Sequence, residues 1–433
     1  MAATSLEFSQ PTHGAILPVR KLLAVCVGNA LEFYDFLTFS FFAIQISHAF
    51  FPKEQTSHGL LFSLATFGVG FVTRPLGGVV IGGYGDRAGR RPAMMLSFTL
   101  MGFAILGLAL TPSYAAIGIA APILLLLFRL LQGFALGGEV GPSTAFLIEA
   151  AAPQRRGLYV SLQFATQNVA IVAAGVVGFI LSRSLSPAAL DAWGWRVAFL
   201  IGAAVIPIGL YLRRSLPETL QPAAGEAAAR LPTRVSVRLI VLSLLMLGAM
   251  TIATYVRGYI TTYAQDSLKL AADIAFGATI VNGLCATFAA PLSGMISDRI
   301  GRKPVMIWCA CSLIVIAVPC FIAMNRMPIV PVVFAATAAI SVIASAAAVP
   351  VVVAIAELLP RAVRSGALAT IYAVAIAVFG GSTQFVIKWL IDATGSALAP
   401  AWYVTAALII GAVAMCAMSE SAPCRTAARV PVE

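Results

Sequence analysis

Runs of about 20 or more apolar residues recur along the 433-residue chain and restrict its fold more than any other feature. A helix needs about 20 such residues to cross a hydrocarbon core of ~30 Å. Hydrophobic residues make up 60% of the chain and charged residues 10%, whereas soluble domains average roughly 45–50% and about 25%. We therefore expect an all-α polytopic membrane protein.

Twelve spans are predicted, at about residues 21–50, 59–83, 92–111, 117–148, 157–182, 196–213, 238–263, 273–297, 304–324, 329–357, 364–390 and 400–419. The first run is too long for the h-region of a cleavable signal peptide, so it is expected to stay in the membrane. The predicted organisation is a tail at 1–20, a six-helix bundle at 21–213, a linker rich in proline and charge at 214–237, a second six-helix bundle at 238–419 and a tail at 420–433.

The net charge of +11 reflects where the basic residues lie. With the spans alternating from an inner start, 19 of the 28 Lys and Arg residues fall on the inner side and five on the outer side. This is the positive-inside bias, and it places both termini in the cytoplasm of a bacterial-type inner membrane. The excess positive charge is attributed to topology and lipid contact, and no nucleic-acid partner is predicted.

Two charged turns repeat. Residues 82–91 read GGYGDRAGRR, and 212 residues later residues 294–303 read GMISDRIGRK. Each turn joins the second and third spans of its half, which predicts a duplicated transporter with a site between the halves. The turns either form a cytoplasmic charge latch that gates transport or serve only as topology anchors. The residues concerned are Asp86, Arg87, Arg90, Arg91, Asp298, Arg299, Arg302 and Lys303.

Charged residues within the spans are candidates for the transport site, because each would cost roughly 2.5–3.5 kcal/mol at a helix centre unless paired or hydrated. In the first span, Asn29, Glu32 and Asp35 share one helix face. Two neighbouring carboxylates resist double ionisation, so this pair is a candidate proton-coupling site. The alternative is a structural role as partners of Arg129 or of the backbone.

The fourth span places Arg129 and Gln132 one turn apart, with Glu139 further along nearly the same face. A guanidinium suits a substrate carboxylate, although a permanent salt bridge to the first span is the alternative for Arg129. Glu139 is expected either to take part in proton coupling or to pair with Arg74, a gating candidate in the second span.

In the second half, the seventh and eighth spans of the chain carry a cluster of polar residues. Tyr255, Arg257 and Tyr259 lie together, and Asn282 follows on the next span, so all four are candidate substrate ligands. An outer-gate or headgroup contact is the alternative for Arg257. Lys388 is a further candidate, but it lies close enough to the outer interface to snorkel into it.

Chemistry beyond transport finds no support in the sequence. The seven cysteines lack metal-ligand spacing, no P-loop is present, and no nucleophile–base pair occurs in the spans. Neither a metal site nor an enzyme is predicted.

Several segments resemble the metabolite:proton symporter branch of the major facilitator superfamily, most closely its citrate and tricarballylate carriers. The segments that resemble the branch as a whole include GNALEFYDF at 28–36, FVTRPLGG at 71–78, RLLQGF at 129–134 and WGWR at 193–196. The likeness to the citrate and tricarballylate carriers comes from SDRIGR at 297–302, from Glu357, Pro360, Val363 and Arg364, and from GGST at 380–383. The resemblance implies two six-helix bundles and import driven by the proton gradient, with no cofactor. It also implies roles in coupling or substrate binding for Glu32, Asp35, Arg129 and Arg196.

The expected function is proton-coupled import of an organic carboxylate, by a protein expected to be monomeric. A symporter of shikimate, 2-oxoglutarate or a zwitterion such as betaine or proline is the alternative. A drug–proton antiporter fits less well, because the basic residues of the spans favour anions.

Overall fold

The computed structural model describes residues 30, 33–34, 36–51, 56–88, 90–137, 144, 147–148, 151–214, 235–360 and 363–426. We refer to the described residues up to 214 as the first half and to those from 235 as the second half. Helix occurs within each of the twelve predicted spans, and no strand occurs in the described ranges. The prediction of an all-α polytopic membrane protein is confirmed.

The main helices of the first half are α1 (Ala43–Phe50), α2 (Thr56–Val69), α3 (Arg74–Ala88), α4 (Arg90–Leu110), α5 (Ala120–Leu136), α6 (Arg156–Ser184) and α7 (Trp195–Arg214). Those of the second half are α8 (Val237–Asp266), α9 (Ala272–Ile300), α10 (Arg302–Arg326), α11 (Val330–Leu358), α12 (Arg364–Ala375), α13 (Gly381–Thr394) and α14 (Ala399–Ala417). Short helical turns occur at Tyr114–Ile117, Pro153–Arg155, Pro187–Ala189 and Pro423–Thr426, and π-helical turns at Leu190–Gly194 and Ile376–Gly380. Within the described residues, eight helices are long and apolar enough to cross a membrane.

The predicted second span is two helices, α2 and α3, separated by a turn at residues 70–73. Proline has no N–H, and its ring clashes with the carbonyl four residues earlier. At Pro75 that carbonyl belongs to Phe71, and the backbone N–H of Arg74 donates to it instead, over 3.2 Å. The predicted second span still matches one membrane-crossing stretch, His58–Ile81, whose helix is interrupted at residues 70–73.

The buried apolar side chains form two clusters, one drawn mostly from the first half and one mostly from the second. Many large apolar side chains lie outside both clusters and are exposed, among them Val79, Phe103, Trp308 and Val315. In a membrane protein such residues face lipid. Lipid tails are as apolar as these side chains, so their contact with hydrocarbon has no free-energy cost.

The two halves meet along α6 and α9, which run antiparallel. A Cβ atom on Gly157, at the start of α6, would lie 2.6 Å from the carbonyl oxygen of Gly294, near the end of α9. One on Gly283 would lie 2.8 Å from the backbone nitrogen of Val172. Glycine is required at such contacts because the helix backbones touch. A second contact between the halves joins α2 and α13, where a Cβ atom on Gly381 would lie 2.8 Å from the carbonyl oxygen of Gly68.

The molecule therefore has two ends. The end that holds the repeated turns, together with the start of α6 and the end of α11, is called the hinge end below. The end that holds Arg183 and Asp273 is called the opposite end. Interhalf contacts are present at both ends: Asp298 accepts from the N–H of Gly157 at 2.9 Å, and Arg183 pairs with Asp273 at 3.2 Å.

Candidate functional site

A cavity of about 90 Å³ lies between the halves. Its wall is built from residues of the first and second spans, α6, α8, α9, α11 and the eleventh span. Its polar lining includes Arg74, Asn168, Arg257, Asn282, Tyr372 and Gln384. The cavity combines an apolar wall with a few polar groups, as small-molecule sites do.

Arg257 is the most exceptional group in this wall. Its side chain projects from α8, is 6% exposed, and donates from Nη2 to Oδ1 of Asn168 at 3.1 Å. Its Nε and Nη1 atoms have no hydrogen-bond partner among the described residues. A buried charge without compensating partners is costly, so this guanidinium is suited to a ligand that brings negative charge. The predicted role of Arg257 as a substrate ligand stays a prediction.

Arg74 lines the same cavity from the first half. Its guanidinium carbon lies 4.4 Å from the ring centres of both Phe36 and Phe71. Its predicted role in gating stays a prediction, and in the structure it contributes to the cavity wall. The cavity therefore has one arginine from each half.

Arg129 and Gln132 lie elsewhere. Arg129 is fully buried, donates from Nη1 to Gln132 Oε1 at 2.6 Å and from Nη2 to the carbonyl of Phe67 at 3.2 Å. The rings of Phe36 and Phe39 lie 4.6 and 4.4 Å from its guanidinium carbon. Neither residue lines the cavity. The α5 face that carries them packs against the first and second spans, and their predicted role as substrate ligands stays a prediction.

The remaining predicted ligands divide into two groups. Tyr255 and Asn282 line the cavity. Tyr259 is buried in α8 but is absent from the cavity wall. Lys388 pairs with Asp266 at 3.0 Å and with Asp392 at 2.8 Å, away from the cavity. Its ion pairs fit the interfacial alternative better than a substrate contact.

Four predicted site residues of the first and fourth spans lie outside the described residues: Asn29, Glu32, Asp35 and Glu139. Their predicted roles in proton coupling and substrate binding stay predictions. The same holds for the side chains of Asp86, Arg87, Arg90 and Arg91, which also lie outside the described part of the chain.

At the hinge end, the second turn forms a charged network that reaches the first half. Asp298 accepts from the N–H groups of Gly157 and Leu158, each at 2.9 Å, at the start of α6. A carboxylate is favourable there because the N-terminus of a helix has unpaired N–H groups and a positive dipole. Asp298 also pairs with Arg302 at 2.7 Å.

Glu357 and the tail extend this network. Arg302 pairs with Glu357 at 3.3 Å, and Arg156 of the first half reaches the same carboxylate at 3.7 Å. Glu420 accepts from the backbone N–H groups of Arg302 and Lys303 and so caps the start of α10. Arg299, predicted as part of the latch, is exposed.

Arg196 has a local role at the opposite end. Its guanidinium carbon lies 4.2 Å from the ring centre of Trp195, and it donates to the carbonyls of Ala192 at 2.6 Å and Thr111 at 3.0 Å. These bonds tie the start of α7 to the end of α4 and leave Arg196 outside the cavity wall.

Several contact residues were missed by the sequence analysis. Asn168 and Gln384 line the cavity, and the Gln384 side chain donates to Ser40 of the other half at 2.6 Å. The sequence indicated both residues only weakly, because an amide side chain within an apolar span needs a hydrogen-bond partner. Sequence alone does not say which partner, since the residues are 344 positions apart.

Comparison with known proteins agrees with this architecture. A family model described as sugar (and other) transporter matches residues 21–230. The chain is 34% identical over 404 residues to a citrate–proton symporter of Klebsiella pneumoniae, an alignment that covers 92% of this chain and 91% of that relative. It is also 34% identical to an alpha-ketoglutarate permease of Escherichia coli K12, with coverage of 88% and 89%. Identity to a proline/betaine transporter of the same strain is 31%, with coverage of 93% and 84%.

Among solved structures, the crystal structure of a D-xylose–proton symporter matches with a TM-score of 0.77 at 19% identity. The match covers 94% of this chain and 99% of that one. At this identity the likeness concerns the fold alone.

Proposed function

Since the chain belongs to the major facilitator superfamily, in the branch that includes citrate–proton symporters, we propose that it imports an organic carboxylate together with protons. Arg257 is the observation that supports this proposal. It is buried in the cavity between the halves and keeps Nε and Nη1 without a protein partner among the described residues.

A carboxylate satisfies this guanidinium better than a neutral group does, because charge-assisted hydrogen bonds are roughly twice as strong as neutral ones. Arg74 supplies a second positive charge from the first half. A di- or tricarboxylate, such as citrate or tricarballylate, has groups for both arginines. A substrate held in this way contacts both halves, as alternating access requires.

Energy for uptake is proposed to come from the proton gradient, with no cofactor. Glu32 and Asp35 are the proposed proton carriers, since two close carboxylates on one helix face favour binding a shared proton. Neutral variants Glu32→Gln and Asp35→Asn should then lose accumulation driven by an inward proton gradient. The hinge end is proposed to face the cytoplasm of a bacterial inner membrane, because its segments are the basic ones.

A zwitterion such as betaine or proline is the second candidate, and the aromatic part of the wall favours it. Phe33, Phe41, Tyr255 and Tyr372 line the cavity. Aromatic rings bind quaternary ammonium groups through cation–π contacts, while Arg257 would hold the carboxylate.

Competition in proteoliposomes under an inward pH gradient distinguishes the two candidates. Labelled citrate, tricarballylate, 2-oxoglutarate, shikimate and betaine are compared in wild type, Arg257→Ala and Arg326→Ala. Arg326 is an exposed arginine at the end of α10 and serves as the matched control.

The carboxylate proposal expects a carboxylate to compete best in wild type and in the control. Arg257→Ala should lose about 2–5 kcal/mol of its binding free energy, because one partner of a desolvated charge pair is gone. Betaine competing best, and equally well in wild type and Arg257→Ala, would reject the carboxylate and leave the aromatic site as the binding determinant.

A further inference from the structure

Asn168 is the one protein group, among the described residues, to which Arg257 is hydrogen-bonded, and it belongs to the other half of the molecule. Its side chain lies on α6, is 2% exposed and lines the cavity. The bond from Arg257 Nη2 to Asn168 Oδ1, at 3.1 Å, therefore crosses the interface between the halves inside the candidate site.

The Asn168 amide is held in one orientation. Its Nδ2 donates to the carbonyl of Phe164 on the same helix at 2.8 Å, so its oxygen is left to face Arg257. Its backbone is held as well, because α6 and α9 touch at this level. A Cβ atom on Gly283 would lie 3.0 Å from the Asn168 carbonyl oxygen.

In this contact the acceptor, the Asn168 amide, is neutral, and the donor, the Arg257 guanidinium, is charged. An amide oxygen orients the guanidinium but leaves its full positive charge, so attraction for an anion is kept. A carboxylate at the same position would pair with Arg257 and cancel that charge. An apolar side chain would leave the long arginine side chain free to rotate away, at a cost in ordering when a ligand binds.

We propose that Asn168 is the positioning residue of the anion site: its neutral amide holds Arg257 across the cavity without neutralising it. This inference rests on the proposed function, since it presumes that an anionic substrate binds Arg257. It further assigns Asn168 a part in selectivity, because the residue decides whether Arg257 is available to a carboxylate.

The test measures equilibrium binding to purified protein in wild type, Arg257→Ala, Asn168→Ala, the double variant and Asn168→Asp. The probe is whichever of citrate, tricarballylate and 2-oxoglutarate competes best in the uptake series. Val169→Ala is the matched control, since Val169 is the next residue of α6 and is exposed on the lipid-facing surface. Thermal unfolding of each variant accompanies the binding measurement.

Asn168→Ala should weaken binding by about tenfold or more, the size expected for a hydrogen bond to a charged group. The double variant should bind no worse than Arg257→Ala alone, because the two residues act through one guanidinium. The control should bind as wild type does. Additive losses from the two single changes would overturn the positioning role.

Asn168→Asp gives a readout that a purely structural role would not change. Near pH 7.5 the new carboxylate occupies Arg257, so binding should fall more than in Asn168→Ala. At lower pH the new carboxyl group takes up a proton and releases Arg257, so the ratio of its Kd to that of wild type should decrease. Taking the ratio cancels the titration of the probe and of groups shared with wild type. Among the described residues of the wall, the other charged or titratable groups are Arg74, Tyr255 and Tyr372.

Different results would contradict the anion site and the role of Asn168. If Arg257→Ala binds the carboxylate as wild type does, both the anion site and the role of Asn168 are rejected. If Arg257→Ala abolishes binding while Asn168→Asp binds normally at pH 7.5, the proposed function stands and Asn168 has no part in it.

Discussion

Arg129 and Arg257 are both arginines buried in apolar helices, and they differ in how many partners surround them. Arg129 donates to Gln132 and to the Phe67 carbonyl and lies against aromatic rings. Arg257 has Asn168 alone as a described hydrogen-bond partner. Among the described residues, Arg129 leaves only Nε without a partner, whereas Arg257 leaves both Nε and Nη1 in the cavity wall, so Arg257 has more donors available to a ligand.

Replacing Arg129 is therefore expected to affect stability first. Arg129→Ala would leave Gln132 and the Phe67 carbonyl without their donor, at about 1–3 kcal/mol for each unsatisfied group. The melting temperature of the purified protein should fall, while Arg257→Ala should stay close to wild type. Arg326→Ala is the control for loss of an exposed arginine.

The opposite result for Arg129→Ala would return Arg129 to the substrate site. If Arg129→Ala melts like wild type yet loses carboxylate binding, Arg129 belongs to the substrate site, as the sequence analysis expected. The cavity wall described above would then be incomplete at the side facing α5.

At the scale of whole helices, α6 and α9 form the main contact between the halves, and small residues permit it. Gly157 and Gly294 allow the two backbones to touch at the hinge end, beside the carboxylate of Asp298. An alternating-access carrier has to break and remake this contact, so its tightness influences the equilibrium between states.

Gly294→Ala should weaken closure of the hinge end. Its Cβ atom would lie 2.5 Å from the carbonyl oxygen of Gly157, and overpacking of this kind costs about 1–3 kcal/mol. Uptake should slow while the Kd for substrate changes little, because the cavity lies away from this contact. The measurement compares the rate of uptake with equilibrium binding.

Gly366→Ala is the matched control for the glycine change. Gly366 lies within α12, and a Cβ atom there would meet nothing within 4 Å. Its uptake should equal that of wild type. An unchanged uptake rate in Gly294→Ala would show that this backbone contact does not limit the transport cycle.

At the scale of the whole molecule, charged groups join the halves at the hinge end while Arg183 and Asp273 join them at the opposite end. The cavity lies between these two sets of contacts. In an alternating-access cycle we expect each set of contacts to open in turn.

Asp298→Asn should slow transport and leave substrate affinity within a few-fold. The variant keeps an oxygen for only one of the two N–H groups of α6, and it loses the charge that pairs with Arg302 and favours the helix N-terminus. Asp86→Asn, in the first copy of the turn, should act in the same direction. Uptake rate and Kd are measured together, and loss of affinity as complete as in Arg257→Ala would contradict a latch.

Hydropathy and repetition in the sequence were enough to predict the class of fold. Each span can be recognised from its own residues. In lipid a segment has to be apolar and has to satisfy its backbone hydrogen bonds internally, and both requirements act on one helix at a time. The repeated turns around Asp86 and Asp298 likewise indicated two similar halves, because each turn is a short run of consecutive residues and can be recognised without knowledge of any distant contact. The polar character of Arg257 and Asn282 likewise marked them as site candidates before any contact was known.

Contacts between distant helices decided the rest. Helical spacing predicts which residues share a face, and so it paired Arg129 with Gln132, but it does not say which neighbour that face meets. In the structure Arg74 lines the cavity, whereas Arg129 packs against the rings of Phe36 and Phe39. The bond between Asn168 of α6 and Arg257 of α8 spans 89 positions and two halves, so it exists only once the two halves have packed together.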